Sequence, residues 1–389
     1  MGGRRLKPAC TCCGCPSAPN RRRPSASRSA SATRPRAGAT TSIGTSSSTI
    51  PSVNAPNAVS SPTITGIQPS SAIEGGRIVI QGEGFAIDSP FVPEVRIGDA
   101  RAHIVYASSS ELSAIVPGGL DGGRATVRVA GAPGETAFVD IAAPFATGLH
   151  QVDNPVFDRD GNLYVTYSGT RGQQVPVSIF RVRPNGTRET FSSGIVNPTS
   201  MAIDPQGRLY VSSRFEGTVY RVGDDGTAEP FASDLGVACG LAFADDGMLY
   251  VGDRSGTIFR VDQNGRTTTF ASLPASVAAF HLAMSPDGAL HVTGPTLSSY
   301  DPLYRIDKDG TTEVLHASFG RPQGLAFDRH GTLFVVEALA GSSGLYRVRS
   351  GIAPELVLAG AGLVGVAFSP DGVMVVASNE TAYRLPRAA

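Results

Sequence analysis

The sequence predicts an all-β protein with a disordered N-terminal leader (residues 1–61), a small β-sandwich (62–142) and a six-bladed β-propeller (143–389). Three observations carry this prediction. A sequence motif with four strand-like runs recurs at a period near 40 residues, and seven shorter strand-like runs precede its first copy. The leader, in contrast, is rich in Ser, Pro and Arg and poor in large apolar side chains.

The leader is the most basic part of the chain. It carries nine Lys or Arg residues and no acidic residue, whereas the rest carries 24 basic and 33 acidic residues. A segment with so few large apolar side chains buries too little surface to offset its ordering entropy, which predicts disorder. The mildly acidic remainder argues against a nucleic-acid-binding ring.

Targeting and metal signals in the leader are weak. We see no apolar segment typical of a signal peptide or of a membrane-spanning helix. Four of the five cysteines lie at positions 10–15, but their spacing matches no standard zinc pattern. An unstructured leader is therefore the simpler interpretation.

The runs at residues 62–142 are short and are separated by Gly, Pro and Ser turns, which predicts a β-sandwich. Gly82 and Gly84 permit a bend after one strand, so that Phe85 can fold into the core. The predicted strands cover residues 64–67, 77–82, 94–97, 102–106, 111–116, 125–129 and 137–141.

This segment contains the phrases GEGF at 82–85, VRIG at 95–98 and VP at 116–117. In these phrases it resembles the IPT/TIG family of immunoglobulin-like domains. In that family the domain acts mostly as a spacer or a protein-contact module. The resemblance therefore implies an immunoglobulin-like fold and no catalytic role.

The clearest copy of the repeat runs from residue 240 to residue 270. Its strand-like runs are separated by Asp-Asp-Gly, Arg-Ser-Gly and Gln-Asn-Gly. Asx-Gly pairs between β-prone runs are a strong hairpin signal, so one copy predicts a four-stranded antiparallel meander.

Two markers keep the same phase through six copies: the glycine of the first turn and an arginine on the third strand. A period near 40 with four strands per copy is typical of propeller blades. The markers are Gly161, Gly207, Gly247, Gly288, Gly331 and Gly372, with Arg181, Arg221, Arg260, Arg305, Arg347 and Arg384.

The sequence also predicts how the ring closes. The last copy ends soon after its third strand, so its outer strand is missing. The segment Ala143–Thr147 precedes the first copy and resembles the outer strand at residues 229–233. We expect it to pair with the last blade, because an unpaired strand edge is a liability.

The copies contain phrases such as GLAFD at 324–328, DGNLYV at 160–165 and GTVYRV at 217–222. In these phrases they resemble NHL repeats and the SMP-30/gluconolactonase-like group of six-bladed propellers. The resemblance identifies an architecture much better than an activity. The chain has no Trp, so the Trp-Asp signature of WD40 blades is absent.

Blade topology predicts which loops share a face. In a four-stranded meander, the loop entering the first strand and the loop joining strands two and three emerge on one face. We also expect the entry residue of each innermost strand to face the central channel. These ring positions are Asp153, Thr199, Cys239, Phe280, Gln323 and Val364.

The ring composition bears on metal-dependent catalysis. A hard cation needs several oxygen ligands, including carboxylates. Gluconolactonase-like propellers hold a divalent metal here, and Asp153 matches the first-blade acid of that family. The other five positions depart from the family pattern, so we expect no metal site and no cofactor. Asp153 is also explained as a loop or cap residue.

His281 follows the ring position of the fourth blade, where a histidine could act as a general base. Virginiamycin B lyase-like propellers use such a site, but this chain lacks the Trp-bearing phrases of that family. The sequence fixes no second acid–base residue beside His281. A packing role is therefore the simpler interpretation.

Loops between strands two and three add polar groups to the same face, and the longest lie at 167–177 and 293–302. Long loops on one face are common docking sites. The candidate ligand-binding residues are Asp153, Arg214, Asp253, Arg254, His281, Gln323 and Glu337.

The sequence favours a non-enzymatic scaffold that binds a ligand or protein with the channel-mouth face of the propeller. The alternative is a divalent-metal-dependent lactonase or hydrolase of the SMP-30/gluconolactonase kind, which would use Ca²⁺ or Zn²⁺. The expected partner is a protein, a glycan or a small molecule, with no nucleic acid and no membrane span. We expect a bacterial monomer that is exported or attached to the cell envelope.

Overall fold

The computed structural model describes residues 61–87, 92–132, 134, 136–339 and 341–385. These residues form 33 strands and no helix, which confirms the all-β prediction. None of them forms a helix that is long and apolar enough to cross a membrane. The predicted leader, apart from its last residue, lies outside the described residues.

The sandwich contains nine strands, which include all seven predicted ones and two unpredicted strands of two residues each. They are β1 (Thr63–Gln68), β2 (Ser71–Ala72), β3 (Arg77–Glu83), β4 (Val95–Ile97), β5 (Ala100–Arg101), β6 (His103–Ala107), β7 (Glu111–Ile115), β8 (Gly123–Val129) and β9 (Ala137–Ile141). One sheet has the order β1-β3-β7-β6, and the other contains β2-β9-β8-β4-β5.

The sandwich core confirms the predicted role of the glycines at the end of β3. Phe85 is buried with only 2% of its surface exposed. A Cβ at Gly82 would lie 2.4 Å from Phe85 Cζ and 2.1 Å from the carbonyl oxygen of Thr63. Only glycine therefore lets the Phe85 ring fold back over its own strand.

The propeller consists of six four-stranded units, as predicted. Its strands are β10 (Ala143–Thr147), β11 (Val156–Phe157), β12 (Leu163–Thr166), β13 (Ile179–Val182), β14 (Arg188–Ser192), β15 (Pro198–Ile203), β16 (Leu209–Ser213), β17 (Thr218–Val222), β18 (Ala228–Ala232), β19 (Ala238–Phe243), β20 (Leu249–Asp253), β21 (Thr257–Val261), β22 (Thr267–Ser272), β23 (His281–Met284), β24 (Leu290–Thr293), β25 (Asp301–Ile306), β26 (Thr312–Phe319), β27 (Pro322–Phe327), β28 (Leu333–Glu337), β29 (Gly344–Arg349), β30 (Ile352–Ala359), β31 (Leu363–Phe368), β32 (Met374–Ser378) and β33 (Thr381–Arg384). Blades one to five use β11–β14, β15–β18, β19–β22, β23–β26 and β27–β30, in that order.

The sixth blade confirms the predicted closure. Its strand order is β10-β33-β32-β31, so β10 supplies the outer strand. β10 pairs antiparallel with β33, and Ala143 lies opposite Arg384 while Thr147 lies opposite Thr381. The segment before the first blade therefore joins the last one and closes the ring.

Neighbouring blades pack through aromatic and aliphatic side chains. Tyr210 of blade two lies edge-on to Phe231 of its own blade and to Phe243 of blade three, with ring centroids 5.0 and 4.9 Å away. Tyr250 of blade three and Leu282 of blade four belong to one buried cluster between their blades. A blade buries its faces only against other blades, which is why the ring needs all of them.

The repeated arginines have a structural role. In four blades the third-strand arginine pairs with a glutamate on the fourth strand; the pairs are Arg181–Glu189, Arg221–Glu229, Arg305–Glu313 and Arg347–Glu355. In blade six, Arg384 lies over the ring of Phe145 at 4.7 Å. These contacts lie at the outer edge of the blades, away from the channel.

The sandwich and the propeller belong to one compact unit and share a sheet. β2 lies between β9 and β30 and runs parallel to both. The next residue, Ile73, is buried among propeller side chains that include Leu358 and Leu363. Tyr383 also donates a hydrogen bond to Glu74 over 3.1 Å. The sandwich is thus attached along blades five and six.

Candidate ligand-binding site at the channel mouth

The segment that enters blade one leaves the blade pattern. Its inner strand β11 has two residues, whereas the inner strands of the other blades have four to six. Asn154 Nδ2 donates to the carbonyl oxygen of Leu325 over 2.8 Å, and its Oδ1 accepts from the amide of Val366 over 2.9 Å. These bonds fix the segment against blades five and six.

Two glycines make room for this segment. A Cβ at Gly324 would lie 2.2 Å from Asn154 Oδ1, and one at Gly365 would lie 2.7 Å from Asn154 Cα. Both contacts are far closer than real Cβ atoms show. The glycines at these inner-strand positions therefore let the backbone of blade one approach its neighbours.

Asp153 and His281 meet inside the channel. His281 Nδ1 donates to Asp153 Oδ1 over 2.6 Å, and the two side chains are 0% and 2% exposed. The backbone amide of Asn154 donates to the same carboxylate oxygen over 2.7 Å. Because blades one and four lie opposite each other in a six-bladed ring, this bond spans the channel.

The other ring nitrogen of His281 remains without a partner. Nε2 is buried and has no hydrogen bond to any described residue. The Oε1 atom of Gln151 is likewise buried and unpartnered, whereas its Nε2 donates to the carbonyl oxygen of Asp153 over 2.6 Å. Buried polar atoms without partners are uncommon and mark places where a water or ligand can bind.

A cavity of about 450 Å³ lies at the channel mouth and is walled by residues of all six blades. This volume falls in the range of about 300–1,000 Å³ that is typical of small-molecule sites. Part of the wall is apolar, with Val152, Phe215, Val237, Val277 and Val364.

Three arginines also line this cavity: Arg171, Arg214 and Arg254. They come from the loops between strands two and three of blades one, two and three, which share one face as predicted. Arg254 Nε donates to the carbonyl oxygen of Ser276 over 3.3 Å. Within the described chain, no hydrogen bond or ion pair joins the guanidinium of Arg171 or Arg214 to another residue.

The environment of Arg214 is electrostatically unfavourable for its charge. Burial lowers the pKa of its guanidinium from the ordinary value. Cys239 opposes this shift, whereas the nearby charges of Arg254 and Arg171 lower the pKa further. An arginine keeps its proton at neutral pH in any case, so the site holds three positive charges close together.

Asn197 positions the loop that carries Arg171. It is fully buried and has a positive φ of 49°. Its Nδ2 donates to the carbonyl oxygens of Ser168 and Thr170 over 2.5 and 2.7 Å, and its Oδ1 accepts from the amide of Gly172 over 2.6 Å. The longest loop of this face is therefore held in place by a side chain of the next blade.

The candidates Asp253 and Glu337 contact the backbone instead of the cavity. Asp253 Oδ1 accepts from the amide of Val237 over 2.8 Å. Glu337 accepts from the amides of Gly320, Arg321 and Leu339 over 2.6, 2.7 and 2.7 Å. Each carboxylate ties the loop entering its blade to the end of strand two.

Three ring positions, Cys239, Gln323 and Val364, line the cavity. Phe280 departs from the predicted arrangement, because its ring packs toward Gly252 and Gly294 in the core between blades. Thr199 is buried and donates to the carbonyl oxygen of Asn197 over 3.0 Å. Burial of an aromatic ring here is favoured by the glycines beside it.

The thiol of Cys239 is 2% exposed and donates to the carbonyl oxygen of Val237 over 3.2 Å. Burial raises the pKa of this thiol to about 12. A thiol with so high a pKa is almost entirely protonated at neutral pH and is a poor nucleophile.

The site can be summarised by the residues that it brings together. Arg214, Arg254 and Gln323 line one cavity, and Asp153 and His281 bond to each other beside it. Asn379, a polar residue in the corresponding loop of blade six, also lines the cavity, whereas Arg171, Gln151, Asn197 and Phe215 are not predicted from the sequence. Two sequence signals point toward Arg171 and Asn197: the unusual length of loop 167–177, and the Asn-Pro turn sequence at residues 197–198.

The described residues contain no group of three His, Cys, Asp or Glu side chains that could hold a metal ion. The positive charge of the mouth further disfavours a cation at that place, because like charges repel over the short distances inside such a cavity.

Comparisons with known proteins agree with this architecture. Residues 62–139 match the family model of the IPT/TIG domain. No curated protein matches the chain significantly.

Among solved structures, a gluconolactonase from Xanthomonas campestris is similar with a TM-score of 0.51 and 17% identity, over 62% of this chain and 89% of that protein. An auxiliary nutrient binding protein from Bacteroides ovatus has a TM-score of 0.49 and 14% identity, over 84% and 97% of the two chains. A virginiamycin B lyase from Staphylococcus aureus has a TM-score of 0.47 and 14% identity, over 84% and 96%.

At 17% identity the likeness to the gluconolactonase speaks for the fold alone. The chain therefore combines an IPT/TIG domain at residues 62–139 with a six-bladed propeller whose fold is similar to that of a gluconolactonase.

Proposed function

We propose that this protein is a non-enzymatic scaffold that binds a small molecule in the channel mouth of its propeller. The observation that carries the proposal is the cavity of about 450 Å³ to which every blade contributes side chains. Beside it, the Asp153–His281 bond spans the channel. A cavity with an apolar wall and a few convergent polar groups is the usual form of a ligand site.

In such a scaffold the carboxylates of this face have structural roles. Asp153 bonds to His281, and Asp253 and Glu337 accept from backbone amides. Three guanidinium groups line the space where a catalytic cation would have to bind. We therefore propose that the protein works without a metal or other cofactor.

The IPT/TIG domain fits this role as a rigid spacer. Because β2 hydrogen-bonds to both β9 and β30, the domain cannot swing freely relative to blade five. It is attached along the outer strand of that blade, so it leaves the channel mouth accessible.

The test is a binding screen on the full-length protein. A panel of neutral sugars, lactones, carboxylates, phosphate esters and amines is screened by thermal shift, and binders are measured by isothermal titration calorimetry. Two variants fill the mouth: Ala279→Trp and Ala278→Trp. The control is Val314→Trp, which is 55% exposed on the outer strand β26.

We expect at least one compound to bind with 1:1 stoichiometry to the wild type and the control, and at least tenfold more weakly to a folded mouth-filling variant. A panel without binders, or binders that ignore the mouth-filling variants, would refute the proposal. Stoichiometric Ca²⁺ or Zn²⁺ with lactone turnover that Asp153→Ala abolishes would establish the lactonase alternative instead.

A further inference from the structure

The mouth cavity has an unusual charge balance. Arg171, Arg214 and Arg254 line it, and no Asp or Glu stands among its described lining residues. The nearest acids in sequence are occupied: Asp253 accepts from the amide of Val237, and Glu216 accepts from the hydroxyl of Tyr220 over 3.1 Å. Both carboxylates keep their negative charge, but neither forms an ion pair with an arginine of the mouth in the described chain.

Arg214 is more buried than Arg171 and Arg254, so its guanidinium has the least access to water. A guanidinium presents five N–H donors, and Arg214 is partly buried with no acceptor among the described residues. Removing a charged donor from water without giving it an acceptor is costly. An anion in the cavity would supply that acceptor and offset the repulsion between the three arginines.

A second, independent observation points to a bound molecule. Gln151 lines the same cavity and is 1% exposed, and its Oε1 has no hydrogen-bond partner. The orientation of its amide is fixed, because Nε2 donates to the carbonyl oxygen of Asp153. The free oxygen is covered by neighbouring atoms, so a hydroxyl or N–H group of a ligand reaches it only after a small displacement of those atoms.

The remaining wall is apolar. Phe215 lines the cavity, and 53% of its surface is exposed. Val237, Val277 and Val364 line the same cavity. The Phe215 ring packs on the loop of Arg171, since a Cβ at Gly172 would lie only 3.0 Å from its Cε2. An apolar surface beside three arginines suits a molecule with both an apolar body and an anionic group.

We infer that the mouth takes a small organic anion, a carboxylate or phosphate ester with an apolar body, and that Arg214 anchors its charge. This inference rests on the proposed binding function and specifies the chemical class of the ligand. Gln151 would accept from a hydroxyl of the same molecule, and Phe215 would cover its apolar part.

The experiment compares aromatic probes of different charge: benzoate, phenyl phosphate, benzamide and benzylammonium. 4-Hydroxybenzoate adds a hydroxyl to benzoate, and inorganic phosphate is an anion without an apolar body. Binding to full-length protein is measured by isothermal titration calorimetry at low and high salt. The variants are Arg214→Gln and Arg171→Gln. Arg266→Gln is the matched control, because Arg266 is an exposed arginine in a turn outside the cavity.

We expect benzoate or phenyl phosphate to bind at least tenfold more tightly than benzamide and benzylammonium, and more weakly at high salt. Arg214→Gln should lower that affinity at least tenfold, and Arg266→Gln should change it less than twofold. The phenolic hydroxyl of 4-hydroxybenzoate should strengthen binding relative to benzoate.

Three outcomes would overturn the inference: benzamide binding as tightly as benzoate, an unchanged anion affinity in Arg214→Gln, or inorganic phosphate binding as tightly as the organic anions. A neutral molecule that binds to the wild type and is lost in Ala279→Trp would leave the proposed function standing while it refutes the anion inference. The two failures are therefore distinguishable.

Discussion

His281 Nδ1 donates to Asp153 Oδ1 over 2.6 Å, although the residues are 128 positions apart and belong to opposite blades. Ring closure by β10 joins the first and last blades at the rim, whereas this bond joins the first and fourth blades at the axis. Asn154, the next residue, binds blades five and six. The segment that enters blade one thus connects four blades from inside the channel.

Removal of either partner of this bond should destabilise the propeller. Asp153→Ala leaves His281 Nδ1 and the Asn154 amide without an acceptor, and His281→Ala leaves a buried carboxylate without this partner. Each substitution should lower the free energy of unfolding by about 2–4 kcal/mol. The loss of unfolding free energy in the double variant should be smaller than the sum of the two single losses by at least about 1 kcal/mol, because the two residues interact. Urea unfolding of the four proteins measures this coupling.

The exposed pair Arg221–Glu229 serves as the control for that cycle. Its coupling should stay below about 1 kcal/mol, because water screens exposed ion pairs. Additive losses at Asp153 and His281 would show that the observed bond contributes no stability.

The closing strand offers a second prediction. Ala146 of β10 is 6% exposed and packs in the core between blades six and one, whereas the neighbouring Thr147 is exposed. Ala146→Asp buries an unpaired charge and should lower the free energy of unfolding by about 3 kcal/mol or more. Thr147→Asp should change it by about 0.5 kcal/mol or less. Equal thermal unfolding temperatures of the two variants would mean that packing of β10 does not stabilise the closed ring.

Much of this fold follows from short-range patterns in the sequence. The glycine turns and the third-strand arginines recur in each copy, so the strands, the blade count and the closing strand could all be predicted. The sandwich strands were predicted by the same reasoning, and only the two-residue strands β2 and β5 escaped it. Two residues are too few to show an alternating pattern.

The site was harder to predict, because its contacts break the repeat. Asp153 occupies a ring position by register, yet the strand that should hold it is only two residues long, and the segment runs to His281 instead. Arg171 lies in a loop without a counterpart of equal length in the other blades. Repeats predict what blades share, and binding residues lie where individual blades differ.

Glu337 provides a third prediction, which separates structural from binding roles. Its Oε1 accepts from Arg321 and Leu339, and its Oε2 accepts from Gly320. Glu337→Gln replaces one acceptor oxygen by an NH₂ group that faces a backbone N–H. We therefore expect the free energy of unfolding, measured with urea, to fall by about 1–3 kcal/mol. Benzoate affinity should remain within twofold of the wild type, since Glu337 does not line the mouth cavity.

The exposed Glu380 gives the matched control: Glu380→Gln should leave both stability and affinity unchanged. If Glu337→Gln is as stable as the wild type but loses ligand affinity, Glu337 is a binding residue, and its bonds to backbone amides are not what stabilises the loop.

Cys239 lines the mouth, but we expect its thiol to be unreactive. Burial raises its pKa to about 12, so its thiolate fraction at pH 8 is far below that of an unperturbed cysteine. Alkylation of Cys239 by iodoacetamide should be at least about a hundredfold slower in native protein than in urea, as followed by peptide mass spectrometry. Rapid labelling of the native thiol would make Cys239 a candidate nucleophile and would count against a non-enzymatic mouth.

The same thiol should make stability depend on pH above neutrality. Its pKa rises on folding from an ordinary 9.0 to about 12, so the folded state favours the protonated thiol. That contribution to stability is fully present below pH 9 and is lost as the pH rises toward about 12. Over this range the thiol ionises in the unfolded chain but not in the folded one, and ionisation lowers the free energy of the unfolded state. At pH 10 the wild type should have lost about 1 kcal/mol relative to its value at pH 8. In Cys239→Val this thiol cannot ionise, and the other cysteines are common to both proteins. The difference between the two urea-unfolding curves therefore isolates Cys239, and parallel pH profiles would show that its thiol is not held protonated by the fold.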